Sequence, residues 1–337
     1  MRTPEPAGTL TAPRLPQARG PLSDAVATAL TTARPPQQRD VLRAHTTEDP
    51  YGDDLQLALY VLYELHYRGF DEVPDDMEWS PLLAPLRAAL EQTFLRALHT
   101  DVPARTPDEA FADLLVEPAD PAGSVTHHLE HEGDLGQLRE YAALRSLYHL
   151  KEADPHAWVI PRLHGRAKAG MVAIEYDEFG AGRAEDVHAQ LFADLMADLG
   201  LDTAYGRYTQ AAPAVALATV NLMTLFGLRR DLRGALVGHF GCVEVTSSPG
   251  SRRLAAAMRR TGAGPAAERF YTEHVAADAV HEQVVRHEVV GGLLAEEPHL
   301  GADVAFGADA TVLLEDRLAA HLLDAWRSGR SALRRPL

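Results

Sequence analysis

Three side chains in one amphipathic run have the types and the spacing of a metal-binding set. His274, Asp278 and His281 occupy positions i, i+4 and i+7, so two imidazoles and one carboxylate project from a single stripe of a 3.6-residue helix. The neighbours Val275 and Val285 are apolar, which places the triplet near an interior. The spacing therefore predicts a helix that supplies three ligands to a metal.

The other ligands must come from other helices, and iron or manganese suits them better than zinc. Imidazole and carboxylate donors without thiolate favour these metals, and the chain has one cysteine, Cys242. Glu244 follows Phe240 and Cys242 in an apolar run and would be costly to bury without a cation. The candidates in apolar helical surroundings are Glu152, Glu178, Glu185, His188 and Glu244.

Two arrangements of these side chains are open from spacing alone. In one, four carboxylates (Glu152, Glu178, Glu244 and Asp278) neutralise two Fe(II) ions, and neutral His188, His274 and His281 complete the shells. In the other, the bundle is of the ferritin type, with a lone Glu from each of two helices and a Glu-x-x-His motif from each of the others. Glu185 with His188 and Asp278 with His281 fit that spacing, Glu152 and Glu244 are the lone pair, and His274 and Glu178 take no part.

The elements that must position these residues are helices. Apolar residues recur at spacings of three and four, as in Leu55, Leu59, Leu62 and Leu65, and no stretch shows sustained period-two alternation, so the sequence predicts an all-α fold. Punctuators such as Pro249 with Gly250 are expected to separate the helices. The further helical runs expected are 86–98, 135–151, 158–178, 186–199, 214–226, 234–247, 265–294 and 303–327.

Composition predicts three regions and excludes several functions. Residues 1–48 are rich in proline and lack aromatic residues, so we expect a disordered arm, followed by an N-terminal helical region over 49–126 and a main domain over 127–325. The 337 residues carry a net charge of -16, which disfavours nucleic acid and membrane surfaces as partners. The longest apolar stretch, 211–228, is too short and too interrupted to span a bilayer. A single cysteine suits a reducing cytoplasm.

Four segments carry a resemblance to a known family. They are Leu150-Lys-Glu-Ala-Asp-Pro-His156, Glu175-Tyr-Asp-Glu178 continuing to His188, the helix around Glu244, and His274-x3-Asp278-x2-His281. Together they resemble the haem-oxygenase-like di-iron oxidases and oxygenases over about residues 50–320. The resemblance implies a haem-oxygenase-like helical bundle with an N-terminal helical extension.

The resemblance also implies the ligand set and the reaction. Glu152 from the first core helix, His188 from the second, Glu244 from the third, and His274, Asp278 and His281 from the last would bind two Fe(II) ions. Glu178 matches the additional carboxylate of members that oxygenate nitrogen, with Glu175 and Glu185 as rivals, and is expected to act in catalysis.

The implied function is activation of O2 through a peroxo-di-iron(III) intermediate, with electrons from an external donor or reductase, to N-oxygenate a small amine or amino-acid-like substrate in secondary metabolism. The alternatives are desaturation, cyclisation or C–C cleavage of an amino or fatty acid, and a non-catalytic iron-binding or docking bundle. A cytoplasmic homodimer is expected.

Some further residues have simpler structural interpretations. His127, His128 and His131 resemble a metal tract, but an incidental cluster at a loop or helix start is favoured. Arg145, Lys151 and Arg162 could bind a substrate carboxylate, although structural ion pairs are favoured. For the run Glu64, His66, Tyr67 and Arg68 we expect a buried ion pair or a subunit contact.

Overall fold

The computed structural model describes residues 12–47, 49–116 and 121–337, without the side chains of residues 122, 278 and 279. The predicted all-α fold is confirmed, because the described residues form helices, turns and loops and contain no strand. The α-helices are α1 (Pro21–Thr32), α2 (Gln38–Thr46), α3 (Asp53–Glu64), α4 (Ala84–Asp101), α5 (Pro107–Leu114), α6 (Val125–His131), α7 (Leu135–His149), α8 (Asp154–Ala157), α9 (Gly165–Glu178), α10 (His188–Asp198), α11 (Ala214–Leu228), α12 (Arg233–Thr261), α13 (Pro265–Val284), α14 (Gly291–Glu296) and α15 (Gly301–Arg327).

Shorter helical segments join several of these helices. A π-helical segment, Val285–Val290, connects α13 to α14 without a break in the helical path. The 3-10 turns are Asp75–Met77, Pro121–Gly123, Ile160–Arg162, Gly180–Gly182, Ala184–Asp186, Arg230–Leu232 and Pro298–Leu300. None of the described helices combines the length and the apolar character that crossing a membrane requires.

The centre of the bundle is built on α12, which packs against both α13 and α15. At the crossing with α15 two glycines allow the backbones to touch. A Cβ atom on Gly238 would lie 1.9 Å from the carbonyl oxygen of Val304, and one on Gly307 would lie 1.9 Å from that of Ala235. The close crossing fixes α12, the helix that carries Glu244.

The prediction of a disordered arm over residues 1–48 is wrong for the part that forms α1 and α2; residues 1–11 and 48 lie outside the described part. Leu22, Val26 and Leu30 are buried, and α1 packs on α3. The Asp54 carboxylate accepts hydrogen bonds from the backbone N–H groups of Leu22 at 2.9 Å and Ser23 at 2.8 Å. Aliphatic residues and one helix cap therefore order a segment that contains no aromatic side chain.

Two helix boundaries also differ from the prediction. Pro249 lies inside α12 and does not end it. Buried Val245 before it and Leu254 and Met258 after it keep both halves packed, and this packing outweighs the ~3 kcal/mol cost of an interior proline. The run expected over 158–178 is helical only from Gly165, after a 3-10 turn that contains Pro161.

Candidate metal centre

Six of the seven predicted ligands meet in two buried groups that share one residue. The first group is Glu152, Glu178, His188 and His274, and the second group is Glu178, Glu244 and His281. Within each group one potential ligand atom per residue lies within 4.8 Å of the others. All six residues are buried. Glu178 is therefore placed where one carboxylate can reach two metal positions.

The joint between α9 and α10 brings Glu178 and His188 together. Glu178 is the last residue of α9 and His188 the first of α10. Gly180 has a φ of 72°, and a Cβ there would lie 2.6 Å from the backbone nitrogen of Val187, so only glycine permits this tight return. As a result, His188 Nδ1 lies 2.6 Å from Glu178 Oε2.

Helix α13 contributes to both groups. His274 and His281 are seven residues apart, or about 10 Å along a helix axis, and each belongs to a different group. His281 Nδ1 lies 3.2 Å from Glu244 Oε2 on α12 and 3.6 Å from Glu178 Oε1. Asp278 lies between them on the same helix, but its side chain falls outside the described part of the chain.

Glu152 lies in a turn and not in a core helix, contrary to the expectation. The turn joins α7 to α8 and includes Ala153, whose φ of 74° is in the left-handed region. Glu152 Oε1 lies 2.8 Å from His149 Nδ1 and 3.6 Å from His274 Nε2, whereas buried Oε2 has no hydrogen-bond partner among the described residues. Burial alone would raise the pKa of this carboxyl, but the two imidazoles hold it well below its usual range.

Two of the three histidines, His274 and His281, are oriented as metal ligands are in proteins. A ligating imidazole usually donates its second N–H to a carbonyl or a carboxylate. His274 Nδ1 lies 2.8 Å from the carbonyl oxygen of Phe270, which directs Nε2 toward the first group. His281 Nε2 lies 3.3 Å from Asp177 Oδ2, which directs Nδ1 toward Glu244. The donor set and these orientations fit two metal positions.

The ring of His281 carries a proton where an ion would bind. Burial lowers the pKa of His281, but Glu244 and Glu178, with Asp177 on the other nitrogen, raise it to about 9. The pKa of His188 is also raised: burial opposes the shift, and the adjacent Glu178 carboxylate outweighs burial. A cation in each group would therefore replace a proton that balances the same carboxylates.

Glu175 and Glu185, the rivals of Glu178, occupy very different environments. Glu185 is exposed and belongs to neither group, so the ferritin-type arrangement does not assemble. Glu175 is 2% exposed, and neither of its carboxyl oxygens has a hydrogen-bond partner among the described residues. Burial, together with the charges of Glu178 and Glu244, raises the pKa of Glu175 to about 9. Glu175 is thus a neutral acid at pH 7 and adds no charge to the site.

The three basic residues considered for substrate binding have structural partners. Arg145 forms a two-pronged ion pair with Glu315 at 2.6 and 2.8 Å. Arg162 donates to backbone carbonyls at the end of α11, and Lys151 pairs with Glu64 inside the protein.

The histidines of α6 lie apart from the two groups. His127, Glu130 and His131 form a third group of potential ligands, which is partly exposed. His128 is buried, bonded to Gln137 at 3.0 Å and stacked on Trp326.

Sequence reasoning missed two residues that hold the ligands. His149 precedes Glu152 by three positions, and this helical spacing was a usable signal. Asp177 stands beside Glu178 in sequence, yet its side chain is 54% exposed and reaches His281 from outside the group. That contact joins α9 to α13 across 104 positions, and no local pattern indicates it.

The fold and the paired groups define a class, an all-α protein with buried histidine and glutamate side chains that could bind metal. The chain belongs to the family of iron-containing redox enzymes, whose model matches residues 139–316. The matched range contains both groups, and the match confirms the predicted family with its haem-oxygenase-like helical fold.

A curated relative gives a second comparison. Nitrosourea synthase from Streptomyces achromogenes subsp. streptozoticus is 24% identical to this chain over 188 residues. The match spans 54% of this chain and 40% of the synthase, so more than half of the synthase has no counterpart in the alignment.

Proposed function

We propose that the protein is a di-iron oxygenase that N-oxygenates the amine of a small, amino-acid-like substrate. The observation that carries the proposal is the sharing of Glu178 between two buried groups, one with His188 and His274 and the other with Glu244 and His281. A pair of Fe(II) ions bound there would supply two electrons to O2. Conversion of an amine to a hydroxylamine consumes one O2, two electrons and two protons and releases water, so an external donor must supply the electrons for each further turnover.

Other residues of the chain position the candidate ligands. His149 orients Glu152, and Asp177 orients His281, by the contacts described above. Glu175 precedes Glu178 by three residues. Burial and its acidic neighbours keep the carboxyl group of Glu175 protonated. The six candidate ligands are buried, and this burial would exclude water from bound metal and so limit side reactions.

The comparison supports nitrogen as the oxidised atom. The name of the relative, nitrosourea synthase, indicates a nitrosourea as its product, and a nitrosourea contains an oxidised nitrogen. By the family resemblance, Glu178 is the additional carboxylate that accompanies N-oxygenation. Because Glu178 belongs to both groups, its carboxylate could contact both metal ions. Desaturation, cyclisation or C–C cleavage would need the same metal pair and is the alternative activity.

The test is an oxygen-uptake screen of the iron-loaded protein. Apoprotein is loaded with Fe(II) without oxygen, then given a reductant and O2 with amines, amino acids, guanidines or fatty acids. We expect about two irons per chain, faster O2 uptake with one amine class, and a product that gains labelled oxygen on nitrogen. Glu178→Gln is the test variant, and Glu185→Gln, at an exposed position, is its matched control.

Each of the other outcomes would assign a different function to the protein. An unsaturated, cyclised or shortened product without new N–O bonds would replace N-oxygenation by the alternative activity. Two bound irons with no substrate-dependent O2 uptake would indicate iron binding without catalysis. Absence of bound iron would refute the di-iron assignment itself.

A further inference from the structure

The run Glu64, His66, Tyr67 and Arg68 is not explained by the metal ligands, and it lies at the end of α3 in the N-terminal helical region. The side chains of Glu64, Tyr67 and Arg68 contact Leu150 or Lys151 in the turn that carries Glu152. His66 instead bonds to Glu78 and Arg87. We propose that Glu64, Tyr67 and Arg68 form with Lys151 an anchor that positions Glu152 in the first metal group. The inference rests on the proposed function only in requiring that the two groups bind metal.

The first contact of the anchor is a fully buried ion pair. The ammonium group of Lys151 pairs with Glu64 Oε1, and both side chains are only 1% exposed. The hydroxyl group of Tyr205 donates to the other oxygen of Glu64. Separating the two partners would leave a buried charge uncompensated, which is strongly destabilising. The pair therefore keeps the turn at Lys151 close to the end of α3.

Aromatic rings and a backbone contact complete the anchor. Lys151 Nζ lies 4.0 Å from the centre of the Tyr67 ring and 5.6 Å from that of Tyr60, within the range of cation–π attraction. Arg68 Nη2 donates to the carbonyl oxygen of Leu150 at 3.3 Å. The anchor therefore holds the turn by one side chain and one carbonyl group.

The turn needs such support because its backbone is unfavourable. Ala153, directly after Glu152, has a φ of 74°, a conformation that non-glycine residues adopt only where their surroundings enforce it. Glu152 also lacks the regular hydrogen bonds of a helix interior, unlike Glu244 within α12. Lys151 and Glu152 are adjacent, so movement of one displaces the other.

Lys151 is thus a positioning residue for one metal position and not for the other. Glu152 belongs only to the first group, whereas the second group is Glu178, Glu244 and His281. Loss of the anchor should release the first ion and leave the second. A residue that served only general stability would weaken both groups alike.

The test counts tightly bound Fe(II) in full-length Lys151→Met after anaerobic loading. The expected result is a fall from two ions per chain to one, with loss of the Mössbauer signature of a coupled pair after oxidation. Adding His281→Ala should abolish the remaining ion. Two ions bound by Lys151→Met with wild-type affinity would overturn the inference.

Two further variants keep the test decisive if Lys151→Met does not fold. Arg68→Gln changes an exposed residue and should still weaken the first ion by about tenfold or more, as loss of a supporting contact does; an unchanged affinity would count against the anchor. Asn221→Ala is the matched control, because Asn221 donates to Gln56 on α3 at 2.8 Å and Gln56 is not a member of the anchor.

The control and the wild type separate the possible failures. Asn221→Ala should lower thermal stability and retain two ions, and selective loss of the first ion in this variant would also overturn the inference. A wild-type protein that binds no iron would refute the proposed function instead. Wild type and Lys151→Met with two ions each would refute the anchor alone.

Discussion

Metal binding by the apoprotein should depend steeply on pH, because His281 must lose a proton before it can coordinate. Its pKa of about 9 means that at pH 7 the ring is protonated by a margin of about two pH units. At ~1.36 kcal/mol per unit, this proton opposes binding by about 2.7 kcal/mol. We therefore expect the affinity of the second group to rise about tenfold per pH unit between pH 6 and 8, with one proton released per ion.

Calorimetric titration of Mn(II) into apoprotein, in two buffers of different ionisation enthalpy, measures both the affinity and the number of protons released. His281→Ala should remove this ion and its proton together. Glu175→Gln should leave the number of released protons unchanged if Glu175 remains a neutral acid in the metal-loaded protein. An affinity that stays constant between pH 6 and 8 would refute the proton–metal exchange at His281.

The same pKa predicts how the stability of the apoprotein changes with pH. The folded-state pKa is above the ordinary value of 6.5, so the contribution of His281 is complete below pH 6.5 and is lost as the pH rises through 9. The apoprotein should lose about 2 kcal/mol of unfolding free energy between pH 7 and pH 9, as measured by urea unfolding. A metal-loaded sample, in which the proton is already absent, should not show this loss.

Two other substitutions give sharp expectations. Glu178→Gln should reduce the affinity for both ions, because the carboxylate belongs to both groups. The control Glu185→Gln, at an exposed position, should retain two ions per chain by elemental analysis. Equal losses of metal in the two variants would contradict the assignment of Glu178. Gly238→Ala should destabilise the fold by about 1–3 kcal/mol, because the added Cβ would overlap the carbonyl oxygen of Val304. An unchanged midpoint of thermal unfolding would show that α12 and α15 do not cross this closely.

The sequence predicted the helices best where a clear apolar stripe meets a strong cap. Helix α7 begins at Leu135, as expected, and the side chain of Asp134 caps it by accepting from the backbone N–H of Gln137 at 2.8 Å. Helix α15 ends at Arg327, also as expected. Such ends depend on neighbouring residues, so a local pattern is sufficient to find them.

Long-range contacts explain what the sequence did not reveal. Burial of α1 depends on its contact with α3, and continuation of α12 past Pro249 depends on packing of both halves; neither is visible in a local pattern. The pairing of Glu64 with Lys151 spans 87 positions. Spacing also placed His274, Asp278 and His281 on one stripe, but it could not show that the two histidines belong to different groups.

The two groups differ in how their ligands are held, and this difference has a consequence for metal loading. Glu244 and His281 of the second group come from the packed helices α12 and α13. In the first group, Glu152 lies in a strained turn and His188 begins a helix after a glycine-dependent joint. Ligands on packed helices are more rigid than ligands on joints.

The second group should therefore bind its ion first. A titration of apoprotein with Co(II), followed by absorption, should show two steps, and His281→Ala should remove the tighter one while His188→Ala removes the weaker. The opposite order would mean that the anchor on Lys151 makes the turn of Glu152 at least as rigid as the helices around it.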